Sequence, residues 1–122
     1  MKKLLLILIC LFTSFSVIGW ELIRDHEESG VQHYIDKIKK KSNNNYFFWY
    51  LQNQPQGHSI LAKHEVNCVS EGVKMLHIYA YSKHFGSGKL IDSGIPPNAN
   101  EYLHFPPESI FQRLINRVCL MN

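Results

Sequence analysis

After its first nineteen residues the chain runs in short blocks of alternating apolar and polar positions, broken by turn-forming residues. Only the last block changes to helical spacing. Trp20 to Arg24 reads as a short strand, ended by the charged stretch Asp25 to Glu28 and by Ser29-Gly30. Val31 to Asp36 is a second, with Val31, His33 and Ile35 alternating against Gln32, Tyr34 and Asp36. The polar run from Lys39 to Asn45 is expected to be a loop. Tyr46 to Leu51 is aromatic or apolar on both faces, as in a central strand covered on both sides. After a turn containing Pro55 and Gly57 come two longer strands, Ser59 to Val69 and Val73 to Tyr81. In the latter, Val73, Met75, His77, Tyr79 and Tyr81 are expected on one face, with Leu76, Ile78 and Ala80 on the other. Phe85 to Gly88 predicts a tight connection, Lys89 to Asp92 a short edge strand, and Ser93 to Asn100 a loop.

The final block is the one good helix. Pro106 and Pro107 can precede a helix but not lie inside it. Ser109 and Gln112 have capping-box spacing, in which the Ser hydroxyl accepts from the Gln112 backbone and the Gln side chain reaches back. Ile110, Phe111, Leu114, Ile115 and Val118 then form one apolar stripe, while Gln112, Arg113, Asn116 and Arg117 face away. The pattern predicts an α+β fold, an antiparallel sheet of about five or six strands with one C-terminal helix packed on a face.

The start of the chain follows a different logic. Met1-Lys2-Lys3 is a short basic head, Leu4 to Phe12 is an unbroken apolar run, and Thr13, Ser14, Ser16 and Gly19 are small or polar. That is the layout of a secretory signal. A permanent anchor would need about twenty apolar residues, and Leu4 to Ile18 is shorter and interrupted by three hydroxyl residues. Residues 1–19 are therefore expected to be a signal peptide, cut between Ser16 and Gly19 and preferably after Gly19. Residues 20–122 form the mature domain, and membrane contact is expected only through the signal. This changes the charge. The formal net charge of +3 includes Lys2 and Lys3; without them eleven Lys and Arg face ten Asp and Glu. A nearly neutral domain gives no reason to expect nucleic acid as a partner.

Export also decides how the cysteines are read. Cys10 follows Ile9, not the small residue that precedes a lipidated cysteine, and it counts as an apolar member of the signal. Cys68 and Cys119 remain, and an even pair in an exported protein points to a disulfide. Closing a loop of about fifty residues stabilises a fold by roughly 4 kcal/mol in the chain-entropy model.

Read in order, Trp20, Tyr34-Ile35-Asp36, Ile38-Lys39-Lys40, Trp49, Cys68, Phe85-Gly86-Ser87-Gly88, and Tyr102 through Ile110 with Val118-Cys119 at the end make a specific set. Over essentially the whole mature chain it resembles the bacterial surface-adhesin protein E family. The resemblance implies a small α+β domain exported in Gram-negative bacteria, to the periplasm or the cell surface, with host matrix or serum proteins as partners. The rival reading is a periplasmic accessory protein that binds another envelope component.

Catalytic chemistry finds little support. The seven histidines show no HxH or HExxH pair, so no metal and no cofactor is expected. His64 and Cys68, four residues apart on a strand, would lie about 13 Å apart along its axis, too far for a base and its thiol. Gly86-Ser87-Gly88-Lys89 lacks the earlier Gly and the following Ser or Thr of a phosphate loop. The protein is expected not to be an enzyme. What remains is surface: Lys37, Lys39, Lys40 and Lys41, a basic cluster suited to an acidic ligand such as a glycosaminoglycan or an acidic stretch of protein. The aromatic run Tyr46 to Tyr50 is the other feature, with core packing the first reading and a homodimer face the main alternative.

Overall fold

The structure, a computed structural model, describes residues 19–26 and 29–120. The expected signal, including Cys10, lies outside the described residues except for Gly19. Six strands follow one another as an antiparallel meander in which each pairs with its sequence neighbours. They are β1 (Glu21–His26), β2 (Val31–Lys40), β3 (Asn45–Asn53), β4 (Ser59–Asn67), β5 (Gly72–Lys83) and β6 (Ser87–Gly94). A 3-10 turn, His84–Gly86, joins β5 to β6, and α1 (Ile110–Cys119) closes the chain. The expected α+β fold is present, with the strands generally longer than the alternation alone suggested.

One face of the sheet belongs to the helix. Ile35 of β2, Tyr46, Phe48 and Tyr50 of β3, Val66 of β4 and Val73 of β5 are buried together with Leu114, Ile115 and Val118 of α1. Phe105 and Phe111 add a stacked pair at its edge, with centroids 4.2 Å apart. The Ser109 hydroxyl caps the helix by accepting from Gln112 N at 3.2 Å. The Gln112 side chain does not complete the expected capping box. It reaches outward to Asn116 Oδ1 at 3.1 Å and Glu71 Oε1 at 3.4 Å, because the turn before β5 offers it a partner. Arg117 is drawn from the solvent side into a two-point ion pair with Glu21 on β1.

Two bulges overturn parts of the expected facing. In β5, Met75 pairs with His64 and His77 with Lys63, so Leu76 is an extra residue without a cross-strand partner. The alternation shifts phase there. Val73 and Met75 therefore face the helix, while His77, Tyr79 and Tyr81 face the other side. In β2, Asp36 pairs with Trp49 and Lys39 with Phe47, leaving Lys37 and Ile38 opposite Phe48 alone. Lys37 takes a left-handed backbone (φ 53°), and the strand continues to Lys40 rather than ending at Asp36. The shift lets both Ile35 and Ile38 pack on the core.

The Cys68–Cys119 disulfide is present, with the Cα atoms 5.6 Å apart. It ties the turn after β4 to the last residue of α1. Cys68 N also donates to Asn44 O at 2.7 Å. Asn67 shapes that turn by accepting from Val69 N and Ser70 N at 2.9 and 3.0 Å.

Candidate functional site

The face of the sheet turned away from α1 has no helix over it among the described residues. Because directly paired residues in an antiparallel sheet point the same way, the strand register lists its side chains in cross-strand rows. The first row is Lys39, Phe47, Glu65 and Lys74; the second is Asp36, Trp49, Lys63 and His77; the third is Tyr34, Leu51, Leu61 and Tyr79.

One end of this face is closed by the chain itself. Phe85 N in the 3-10 turn donates to Asn53 Oδ1 at 2.8 Å, and Gly86 N donates to Ser59 Oγ at 3.0 Å. The Phe85 ring leans on Tyr34 at 5.1 Å. Phe85 and Gly86 both have left-handed backbones, which is how so short a connection folds back over the sheet. Leu51 and Ser59 end fully buried at this end.

The other end is a polar and aromatic cluster. Glu65, 3% exposed, accepts from Asn45 Nδ2 at 2.7 Å, Lys41 Nζ at 3.0 Å and Tyr102 Oη at 3.2 Å. Burial pushes its pKa up, but the hydrogen bonds from Asn45, Lys41 and Tyr102 and the Lys41 charge outweigh it and hold the carboxyl below its ordinary value. Tyr102 arrives from the loop before α1. Leu103 exchanges two backbone hydrogen bonds with Val73, at 2.8 and 2.9 Å, like a one-residue seventh strand. Gly72 permits this: a Cβ there would lie 2.8 Å from Tyr102 Cβ.

Around Glu65 the ammonium groups lie over rings. Lys63 Nζ is 4.8 Å and Lys41 Nζ 5.4 Å from the centroid of Phe47, and Lys74 Nζ is 4.5 Å from that of Tyr102. Beside them His77 stacks on Tyr79 at 4.3 Å, and Tyr79 on Trp49 at 5.9 Å. Lys41 is ion-paired with Glu65; among the described residues Lys39, Lys63 and Lys74 have no carboxylate partner.

The structure does not keep Lys37, Lys39, Lys40 and Lys41 together as one patch. Lys39 pairs with Phe47 and faces the open side, whereas Lys40 pairs with Tyr46 and faces the helix side. Lys37 sits in the bulge and lines a cavity with Trp20, Glu21, Ile35 and Arg117. Lys41 turns to Glu65. The aromatic run divides in the same way: Tyr46, Phe48 and Tyr50 enter the core, while Phe47 and Trp49 lie half-buried on the open face. Lys63 and Lys74 were not singled out from the sequence, and Tyr102 entered only as part of the ordered motif set. For Lys63 a signal existed, since Leu61, Lys63 and Glu65 alternate with the core positions of β4; Lys74 needed the β4–β5 register and Tyr102 the loop return.

His64 lies under the helix at 1% exposure, and Cys68 is in the disulfide, so the two form no base and nucleophile. Among the described residues no group of three or more His, Cys, Asp or Glu side chains is placed to hold a metal ion. No described helix is long and apolar enough to cross a membrane.

No curated protein matches the chain, and no solved structure does. The family described as surface-adhesin protein E matches residues 20–120, the stretch that carries all six strands, the cysteine pair and the helix. The match covers most of the chain and agrees with the motifs read in order along it, so the protein belongs to the surface-adhesin protein E family.

Proposed function

We propose that residues 1–19 direct export and that the mature domain is a non-enzymatic binding protein, displayed at the cell surface and engaging host matrix or serum proteins. The open sheet face carries this reading. A helix covers one side of the sheet, while the other presents Lys39, Lys63 and Lys74, without carboxylate partners among the described residues, beside half-buried Phe47 and Trp49. Such a face offers charge and ring surface for contact. Membership of the adhesin family supports the same direction.

The test has two parts. Protease treatment of intact cells should remove the protein, and complete protection until the outer membrane is opened would sink the surface assignment. Purified mature protein should retain host matrix or serum proteins, and Lys63→Glu with Lys74→Glu should reduce that retention. Equal retention by the double variant would remove the open face from the reading.

A further inference from the structure

We infer that the occupant of the open face is a sulfated polysaccharide of the glycosaminoglycan type; this rests on the reading of that face as the binding surface. Charge complementarity is the first argument. Lys39 and Lys74 stand at opposite ends of one cross-strand row, on β2 and β5. Three inter-strand spacings of about 4.8 Å put their backbones ~14 Å apart. Lys63 lies between them on β4, one row along. Of the two carboxylates in these rows, Glu65 is buried and already satisfied by Asn45, Lys41 and Tyr102, and among the described residues Asp36 makes no ion pair with Lys39, Lys63 or Lys74. Lys41 and Lys63 share the Phe47 ring, and only Lys41 has a carboxylate. An ammonium held beside a second ammonium favours an incoming anion.

The second argument is what this end of the face lacks. Phe47 lies beneath the Lys41 and Lys63 ammonium groups and Tyr102 beneath that of Lys74, while Trp49 is half-buried. The exposed large apolar residues, Leu22, Val69, Phe85, Leu90, Ile91, Ile95 and Leu120, include none of the residues in the two rows that carry the lysines. A polypeptide normally anchors through buried apolar or aromatic side chains, and these two rows expose none, so a host matrix protein is engaged here through its glycosaminoglycan chains. A polymer with dense fixed anions and polar rings asks for charges spread over a broad floor, which strands β2 to β5 supply.

The decisive measurement is binding of the disulfide-intact mature chain to heparin, used as the sulfated probe, beside fully desulfated heparin and poly-L-glutamate. Heparin should bind, more weakly as salt rises, and the two controls should bind at least about tenfold less tightly. Lys63→Ala with Lys74→Ala should weaken heparin binding at least about tenfold, while Lys37→Ala with Lys40→Ala, off this face, should change it by less than about twofold. Unchanged thermal midpoints establish that both variants fold. The inference is overturned by no heparin binding, by equal binding of desulfated heparin, by tighter binding of poly-L-glutamate, or by equal losses in the two lysine pairs. Host proteins still retained through Lys63 and Lys74 while heparin fails would leave the binding-protein reading standing and remove the polysaccharide alone.

Discussion

His64 lies face to face with Phe48 beneath the C-terminal helix, the ring centroids 5.2 Å apart and the planes within 10°. Tyr50 and Phe111 close round the imidazole at 5.8 and 5.5 Å, and neither ring nitrogen makes a well-formed hydrogen bond. Burial is the main reason its pKa falls to about 4, with a weaker backbone contact at Ala62 opposing the fall. The imidazole is thus a neutral core aromatic in the folded state.

The pH dependence follows from that. The unfolded chain takes up a proton at this histidine near its ordinary value of 6.5, whereas the folded chain resists protonation down to about 4. Between those limits the unfolded state binds more protons, so stability falls as pH falls, by up to ~1.4 kcal/mol per pH unit. Denaturant titrations of the mature protein at pH 7, 6 and 5 should show this loss, and His64→Phe should flatten the slope. A variant with the parent's slope would assign the acid sensitivity elsewhere.

The disulfide spans 51 residues and holds the end of α1 to the sheet. Replacing both cysteines, Cys68→Ser with Cys119→Ser, should cost about 4 kcal/mol and lower the thermal midpoint by more than about 10 °C. Differential scanning calorimetry reads the shift, and mass spectrometry of the parent should find no free thiol in the mature chain. The core under the helix should loosen first, since Leu114, Ile115 and Val118 supply its upper layer.

Gly72 is a packing test of the loop return. In Gly72→Ala the new methyl would meet Tyr102 Cβ at 2.8 Å and His104 Nε2 at 3.2 Å. The loop must move, at a cost of about 1–3 kcal/mol. Amide exchange should quicken at Val73 and Leu103, whose mutual hydrogen bonds hold the loop to β5. Unchanged protection there would show that the loop is held by something other than this close approach.

Much of the fold was legible in the sequence. Strand alternation and helical periodicity are properties of consecutive residues, so β3, β4 and α1 could be placed with ends in error by a residue or two. The cysteine pairing was legible for a different reason: once Cys10 belongs to the signal, only one partner exists for each remaining thiol. The candidate site was much less so. The lysine cluster was read by adjacency, yet neighbouring strand residues point to opposite faces and the bulge at Lys37 shifts the phase again.

The sequence by itself determined the element types, their order, the α+β class and the disulfide, because each depends on local periodicity or on residue count. Only the tertiary structure decided which lysines share a face. Lys39, Lys63 and Lys74 come from three different strands, and their meeting depends on the pairing register and on the bulge at Lys37 and Ile38 that turns Lys39 to the open face. Tyr102 joins them because Gly72 leaves room for the returning loop. A single extra residue in a strand reverses every side chain beyond it, and no pattern within β2 alone announces where that residue falls.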